Sequence, residues 1–211
     1  MEFTLYSFWR SSASWRVRII LSIKGLNYSY IPINLLKQDN ITKNYLSINP
    51  LGQLPTLVKD NYSLTQSLAI ANYLEAKYPN PPITPKDPEL LGKMWEICEI
   101  INSSIQPLQN IYVLEKIESL GGNKKEWAQM AIINGFNSIE KILEKTSETY
   151  SIGKSITLAD ACLVPQVGNA KRFEVDLFPY PNIKRISDTL SSIESFKKAH
   201  PDSQPDAVVN K

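Results

Sequence analysis

The rhythm of hydrophobic and polar positions changes along the chain. Residues 3–8 are apolar and aromatic, and the stretch is the length of one strand. Over residues 11–24, Val17, Ile20, Leu21 and Lys24 recur at helical spacing, which predicts a helix with Ile20 and Leu21 turned to the core. Gly25 follows as its stop, because a helix end often needs a left-handed residue. Residues 28–33 are β-rich, and 42–46 fit a short helix ending before Asn49-Pro50. Residues 56–58 and 62–65 read as strands around the turn Lys59-Asp60-Asn61. Residues 66–78 are helical, with Leu68, Ile70, Ala71, Leu74 and Tyr78 inward. The resulting order, β-α-β-α-β-β-α, is one compact α/β unit with helices on a mixed sheet.

This order matches a thioredoxin-like fold. The segment 79–88 then ends it, because five prolines in ten residues cannot continue a helix and stiffen the chain as a linker. Beyond it the pattern is helical: 89–116 with a break at Pro107, 124–145 with Trp127, Ala131, Ile132, Phe136, Ile139 and Leu143 inward, 157–170 bent or interrupted at Pro165, and 182–193. No strand is evident there, so a helical bundle is expected. The fold class is therefore α/β plus all-α, with domains 1–80 and 89–211 joined by a linker 81–88. Thr157 and Asp160 have the spacing of a capping box, and Ala161-Cys162-Leu163-Val164 after them predict a helix buried within the bundle. The polar tail 201–211 is expected to be loosely held.

Composition narrows the function classes. At 211 residues and 43% hydrophobic, the chain can bury a core without a disulfide or metal staple. A net charge of 23 − 21 = +2 is too weak for the basic footprint of a nucleic-acid protein. The single histidine, His200, removes most zinc-site and Ser-His-Asp schemes and reads either as a pH switch or as a solvated helix end. Cys98 and Cys162 lie far apart in apolar helical patterns, as buried free thiols in a reducing compartment do. The first residues lack the pattern of a secretory signal, and no apolar run reaches about 18 residues. A cytoplasmic protein without membrane spans is expected.

Three corners of the first unit carry candidate chemistry. Ser11 and Ser12 open the first helix, where unpaired N–H groups and the positive dipole end favour an anion such as a thiolate. A hydroxyl hydrogen-bonded to sulfur there lowers the thiol pKa; the same serines also suit a plain N-cap. Pro55, before a short strand, is either trans or cis, and in the cis form would leave the Leu54 backbone open to an extended peptide. Gln66 and Ser67 open the third helix, either simply as its start or as a pocket for a carboxylate. A small thiol peptide needs these three features together: a hydroxyl for sulfur, a backbone edge and a carboxylate pocket.

Residues 11–18, Ser-Ser-Ala-Ser-Trp-Arg-Val-Arg, resemble the SSCxWRVRxAL signature of the zeta-class glutathione transferases, the maleylacetoacetate isomerases. The likeness spans nearly the whole chain and includes Asn49-Pro50, Gln53-Leu54-Pro55-Thr56-Leu57, Gln66-Ser67-Leu68-Ala69-Ile70, Ile105-Gln106-Pro107-Leu108-Gln109-Asn110, Leu163-Val164-Pro165-Gln166-Val167 and Arg172-Phe173. The resemblance implies a thioredoxin-like domain, a helical domain, a homodimer and glutathione as cofactor. It implies that Ser11 activates the glutathione sulfur with support from Ser12, within a cofactor-binding run Ser11, Ser12, Ala13, Ser14, Trp15 and Arg16. It places Leu54 on the cysteinyl backbone, Gln66 and Ser67 on the γ-glutamyl end, Gln38 near the glycyl end, and Gln106, Asn110 and Tyr112 toward the site from the helical domain. Arg10 and Arg172 would meet the carboxylates of a small dianionic substrate, while Arg16 and Arg18 also suit ion pairs on a helix surface. The motif's cysteine is Ala13 in this chain, so no thiol at that corner can take part.

The activity implied is isomerisation of maleylacetoacetate to fumarylacetoacetate. A general transferase acting on haloacids and other small electrophiles is the alternative, and a non-enzymatic scaffold of the same fold is a third. A scaffold predicts a degraded first-helix site, whereas Ser11, Ser12, Pro55, Gln66 and Ser67 are all present.

Overall fold

The computed structural model describes residues 2–208. By packing, the chain divides into two units between Pro82 and Ile83, and the segment from Ile193 onward returns to the first unit. The helical unit thus ends at Ser192, which corrects the expected domain of 89–211. Residue 1 and residues 209–211 of the tail lie outside the described residues.

In the first unit, β1 (Phe3–Ser7) buries alternate residues, as the two-residue period of a strand requires. It pairs parallel with β2 (Tyr28–Pro32) and antiparallel with β3 (Thr56–Lys59), which pairs antiparallel with β4 (Tyr62–Thr65). The strand order is β2-β1-β3-β4, a mixed sheet as predicted. The parallel β1–β2 step is bridged by α1 (Ser12–Ile23), which Gly25 ends at φ +64. Two 3-10 turns and the short α2 (Lys43–Leu46) lead to β3, and α3 (Ser67–Lys77) closes the unit.

α1 is buried from Ser14 through Leu21, not only along one stripe. The reason is that it packs both on α3 and on α9 (Glu194–Ala199), a helix the sequence pattern did not reveal. The run Arg16-Val17-Arg18 is therefore internal, which corrects the surface-pair expectation for its two arginines. Arg18 donates to the carbonyls of Trp9 at 2.9 Å and Ala199 at 3.0 Å, and to Ser7 Oγ at 3.1 Å. Burial lowers its pKa to about 10. Lys24 pairs with Glu75 of α3 and donates to the Pro81 carbonyl at 2.7 Å. The tail is also fastened: Asp206 accepts from Trp9 N at 3.0 Å and Tyr30 OH at 2.6 Å. His200 is half-exposed at the end of α9, with its ring edge against Trp15 at 5.1 Å.

The second unit contains α4 (Pro88–Glu99), continued by a wider π-type turn over Ile100–Ile105, then α5 (Ile111–Ser119), α6 (Lys124–Thr146), α7 (Leu158–Arg172) and α8 (Pro181–Ser191). α7 is buried almost throughout and runs on through Pro165, which bounds no element. Packing on every side holds it where an exposed helix would break. Its start is sealed: Asp160 accepts from Thr157 N at 2.7 Å, Ser151 N at 2.9 Å and Thr157 Oγ1 at 3.2 Å. Burial pushes that carboxyl up in pKa while these donors pull it down. Cys98 and Cys162 are buried thiols within α4 and α7. Among the described residues no helix is long and apolar enough to cross a membrane.

Candidate functional site

The three predicted corners belong to the first unit, and each sits where a strand or loop hands over to the next element. Ser11 is the N-cap of α1, at φ −70 and ψ 117, and its Oγ accepts from Ser14 N at 3.2 Å. The hydroxyl thus lies at the positive end of a twelve-residue helix. Ser11, Ser12 and Ala13 are part-exposed and reachable by a ligand.

The rest of that motif is not. Ser14 and Arg16 are fully buried and Trp15 nearly so, with 7% of its surface exposed. Their side chains offer a bound molecule little or no surface, less than Ser11, Ser12 and Ala13 do. Arg16 instead donates from Nη1 to Ser67 Oγ at 2.6 Å, tying the first corner to the third.

At the second corner the Leu54–Pro55 bond is cis. The Leu54 N–H and C=O enter no hydrogen bond among the described residues, so a part-exposed residue keeps a full donor and acceptor pair. The loop behind it is braced. Asn49 Nδ2 donates to the Gln53 carbonyl at 2.7 Å, and Tyr45 OH donates to the same oxygen at 2.6 Å. Both also reach Thr56 Oγ1, at 3.2 and 2.9 Å. Gly52 takes φ +63, and its carbonyl accepts from Asn40 Nδ2 at 2.8 Å. A side chain at Gly52 would meet the Asn40 carbonyl at 3.1 Å. Tyr45 and Asn49 as braces were not identified from sequence. Asn49 before Pro50 was visible as a motif, but its partners lie in residues that only the fold brings to it.

At the third corner Gln66 precedes α3 at φ +67 and ψ 112, a left-hand-side conformation for a residue with a Cβ, and no side chain caps the helix. Such strain costs about 1–3 kcal/mol and is typically kept at ligand clamps. Gln66 Nε2 reaches Gln53 Oε1 at 3.4 Å, so the second and third corners adjoin. Ser67 is buried, 5% exposed, against Arg16.

The remaining expected residues are spread out. Gln38 is exposed and left-handed, at φ 60, between the two 3-10 turns; Asn40 links that loop to Gly52. Arg10 lies over the Trp9 ring at 5.9 Å. In the second unit, Gln106 follows the π-type turn, Asn110 precedes α5 without a side-chain capping bond, and Tyr112 is 67% exposed. Gln109, between them, is buried and exchanges an amide hydrogen bond of 2.9 Å with Gln166 of α7. Arg172 is exposed at the end of the same helix, stacked on Phe173 at 4.7 Å.

An exposed backbone edge, a hydroxyl on a helix start and a strained, uncapped second helix start suit an extended peptide with a thiol and a carboxylate. Comparison with known proteins gives the same picture. Residues 1–76 match the family model of the glutathione S-transferase N-terminal domain, and 108–199 that of the C-terminal domain. Maleylacetoacetate isomerase of Mus musculus is 47% identical over 204 residues, covering 96% of this chain and 94% of that protein. A holo maleyl pyruvate isomerase, a bacterial zeta-class glutathione S-transferase, superposes with a TM-score of 0.95 at 35% identity, covering 97% of this chain and all of that one (100%). The maleylacetoacetate isomerase of Anaeromyxobacter dehalogenans, with dicarboxyethyl glutathione and citrate in its active site, gives a TM-score of 0.89 at 38% identity, covering 99% and 98%.

Proposed function

Because the chain belongs to the zeta class of the glutathione transferase family, that of the maleylacetoacetate isomerases, we propose that it catalyses the glutathione-dependent cis-trans isomerisation of maleylacetoacetate to fumarylacetoacetate. The setting is cytoplasmic catabolism of tyrosine and phenylalanine, the protein acts as a homodimer, and transfer of glutathione to small electrophiles accompanies the main reaction. The first unit binds glutathione and the helical unit contributes substrate contacts. Bound glutathione supplies a thiolate that adds reversibly to the conjugated double bond and leaves once that bond has turned.

The chain's own task is to keep sulfur ionised and the reactants aligned. A free thiol has a pKa of about 8.5, and a drop of two units needs about 2.7 kcal/mol. The Ser11 oxygen spends a lone pair on Ser14 N–H, which leaves its proton to donate to sulfur. A hydrogen bond to a charged group contributes about 1.5–3 kcal/mol and a helix start about 0.3–1, enough for that drop. Ser12 supports it from the next position. The open Leu54 N–H and C=O pair with the cysteinyl backbone, and the start of α3, with Gln66 and Ser67, holds the γ-glutamyl carboxylate. Gln38 serves the glycyl end. The resemblance assigns Gln106, Asn110 and Tyr112 to the bound peptide, and Arg10 and Arg172 to a dianionic substrate. With alanine at position 13, no protein thiol takes part.

The observation that carries this reading is the part-exposed Ser11 hydroxyl at the start of α1. The dicarboxyethyl group on glutathione in the Anaeromyxobacter isomerase supports it, being what a thiol leaves on adding to a four-carbon dicarboxylic alkene. The test is to supply enzymatically generated maleylacetoacetate with and without glutathione and follow fumarylacetoacetate. Turnover only with glutathione, and glutathione recovered unchanged, is expected. Accumulated conjugate in place of the trans product would favour the plain transferase instead.

A further inference from the structure

Arg16 is a guanidinium side chain with no exposed surface. Burying a guanidinium is costly unless its hydrogen bonds and charge are put to use. Its Nη1 donates to Ser67 Oγ at 2.6 Å, a short bond of the charge-assisted kind. The Ser67 oxygen accepts there, and its own proton meets no acceptor among the described residues. Ser67 is also the first residue of α3, an eleven-residue helix whose start no side chain caps. A serine hydroxyl polarised by a cation from behind, on an open helix start, is a strong donor to an anion in front.

We infer that Arg16 is a positioning residue that selects γ-glutamyl thiols: through the Ser67 hydroxyl it aims positive potential at the α-carboxylate of the γ-glutamyl group. Ser11 and Arg16 both stand on α1, so one rigid helix sets the sulfur end and the carboxylate end of the same ligand. This rests on Ser67 meeting that carboxylate, as proposed above. Arg16 reaches the ligand only through another residue, which explains why a motif residue associated with the cofactor lies wholly inside the protein.

The experiment is a cycle between protein and ligand. Calorimetry gives the affinity ratio of glutathione to γ-aminobutyryl-cysteinylglycine, which lacks only that carboxylate, for the wild type, Arg16→Lys and Ser67→Ala. The wild type should favour glutathione by about tenfold or more. In both variants the ratio should fall toward one, while affinity for the truncated peptide stays within about twofold. A purely structural Arg16 would weaken both ligands alike, and a ratio held at the wild-type value in Arg16→Lys overturns the inference. Ser67→Ala keeps the buried cation and guards against a folding loss in the arginine variant; an unchanged ratio there is equally fatal. A wild type that prefers neither peptide yet binds both would instead remove Ser67 from the carboxylate, and a wild type that binds neither would remove the proposed function itself.

Discussion

The longer helices of the two units mostly begin in different ways. In the second unit four of the five described helix starts are closed by side chains of the protein itself, α5 being the exception: Asp87 accepts two N–H groups at α4, Asn123 two at α6, Asp160 serves α7, and Glu140, reaching from α6, accepts from Asn182 N and Ile183 N at α8. In the first unit Thr42 closes the short α2, but α3 starts with no side-chain cap on a strained Gln66, and α1 is capped by a hydroxyl that retains a proton to give away. A closed start satisfies its own backbone and stabilises the fold. An open one leaves donors for something else, and the strain at Gln66 shows that the opening is maintained against a local preference.

The contrast can be broken at its strongest point first. Asp160→Ala strands three buried donors at the start of α7 and should lower stability by about 3 kcal/mol or more, read by denaturant unfolding. Glutathione affinity of the folded protein should not change. Ser11→Ala comes next, with a loss of about tenfold or more in isomerisation. The sign of its pH effect follows from the thiolate: Ser11 favours the charged sulfur, so removing it raises the thiol pKa and moves the rising limb of the pH–rate profile to higher pH. An unmoved profile would show that Ser11 is only a cap, a role that contributes about 1 kcal/mol to stability. Gln66→Gly should have the smallest effect on stability, a change within about 1 kcal/mol, because glycine accepts the positive φ but loosens the unfolded chain. Glutathione affinity should nonetheless drop several-fold as the side-chain amide is lost; a titration showing wild-type affinity would make the strain at Gln66 incidental.

The order of elements in the first unit and the main helices were legible because local periodicity and turn residues suffice for them. Gly25 ends α1, and β3–β4 turns at Asp60, as the pattern indicated. The Thr157–Asp160 spacing was legible for the same reason, since the two residues lie within one turn of chain; the Ser151 N–H that Asp160 also accepts was not. What was hidden depends on distant partners. Arg16 and Arg18 look like an exposed charged helix face, yet Ser67 and Ala199, far away in sequence, supply the acceptors that let them be buried. α9 is six residues long and buries only Phe196 and Ala199, too little for a periodic signal, and its return to α1 is a tertiary event. Pro165 resembles a breaker because sequence carries no trace of the packing around α7. Of the site, Ser11, Leu54, Gln66 and Ser67 were readable as junction residues. The braces Tyr45 and Asn49 were not, since their work is done on the Gln53 carbonyl and Thr56 across a folded loop.

The central claim is that this chain keeps a borrowed sulfur negative at the start of its first helix. The most direct measurement is the ultraviolet thiolate absorbance of glutathione bound to the wild type and to Ser11→Ala, titrated with pH. The account predicts a midpoint near 6.5, about two units below the free value of about 8.5, in the wild type, with return toward that value in the variant. A bound thiol that ionises at the free value in both proteins would contradict it.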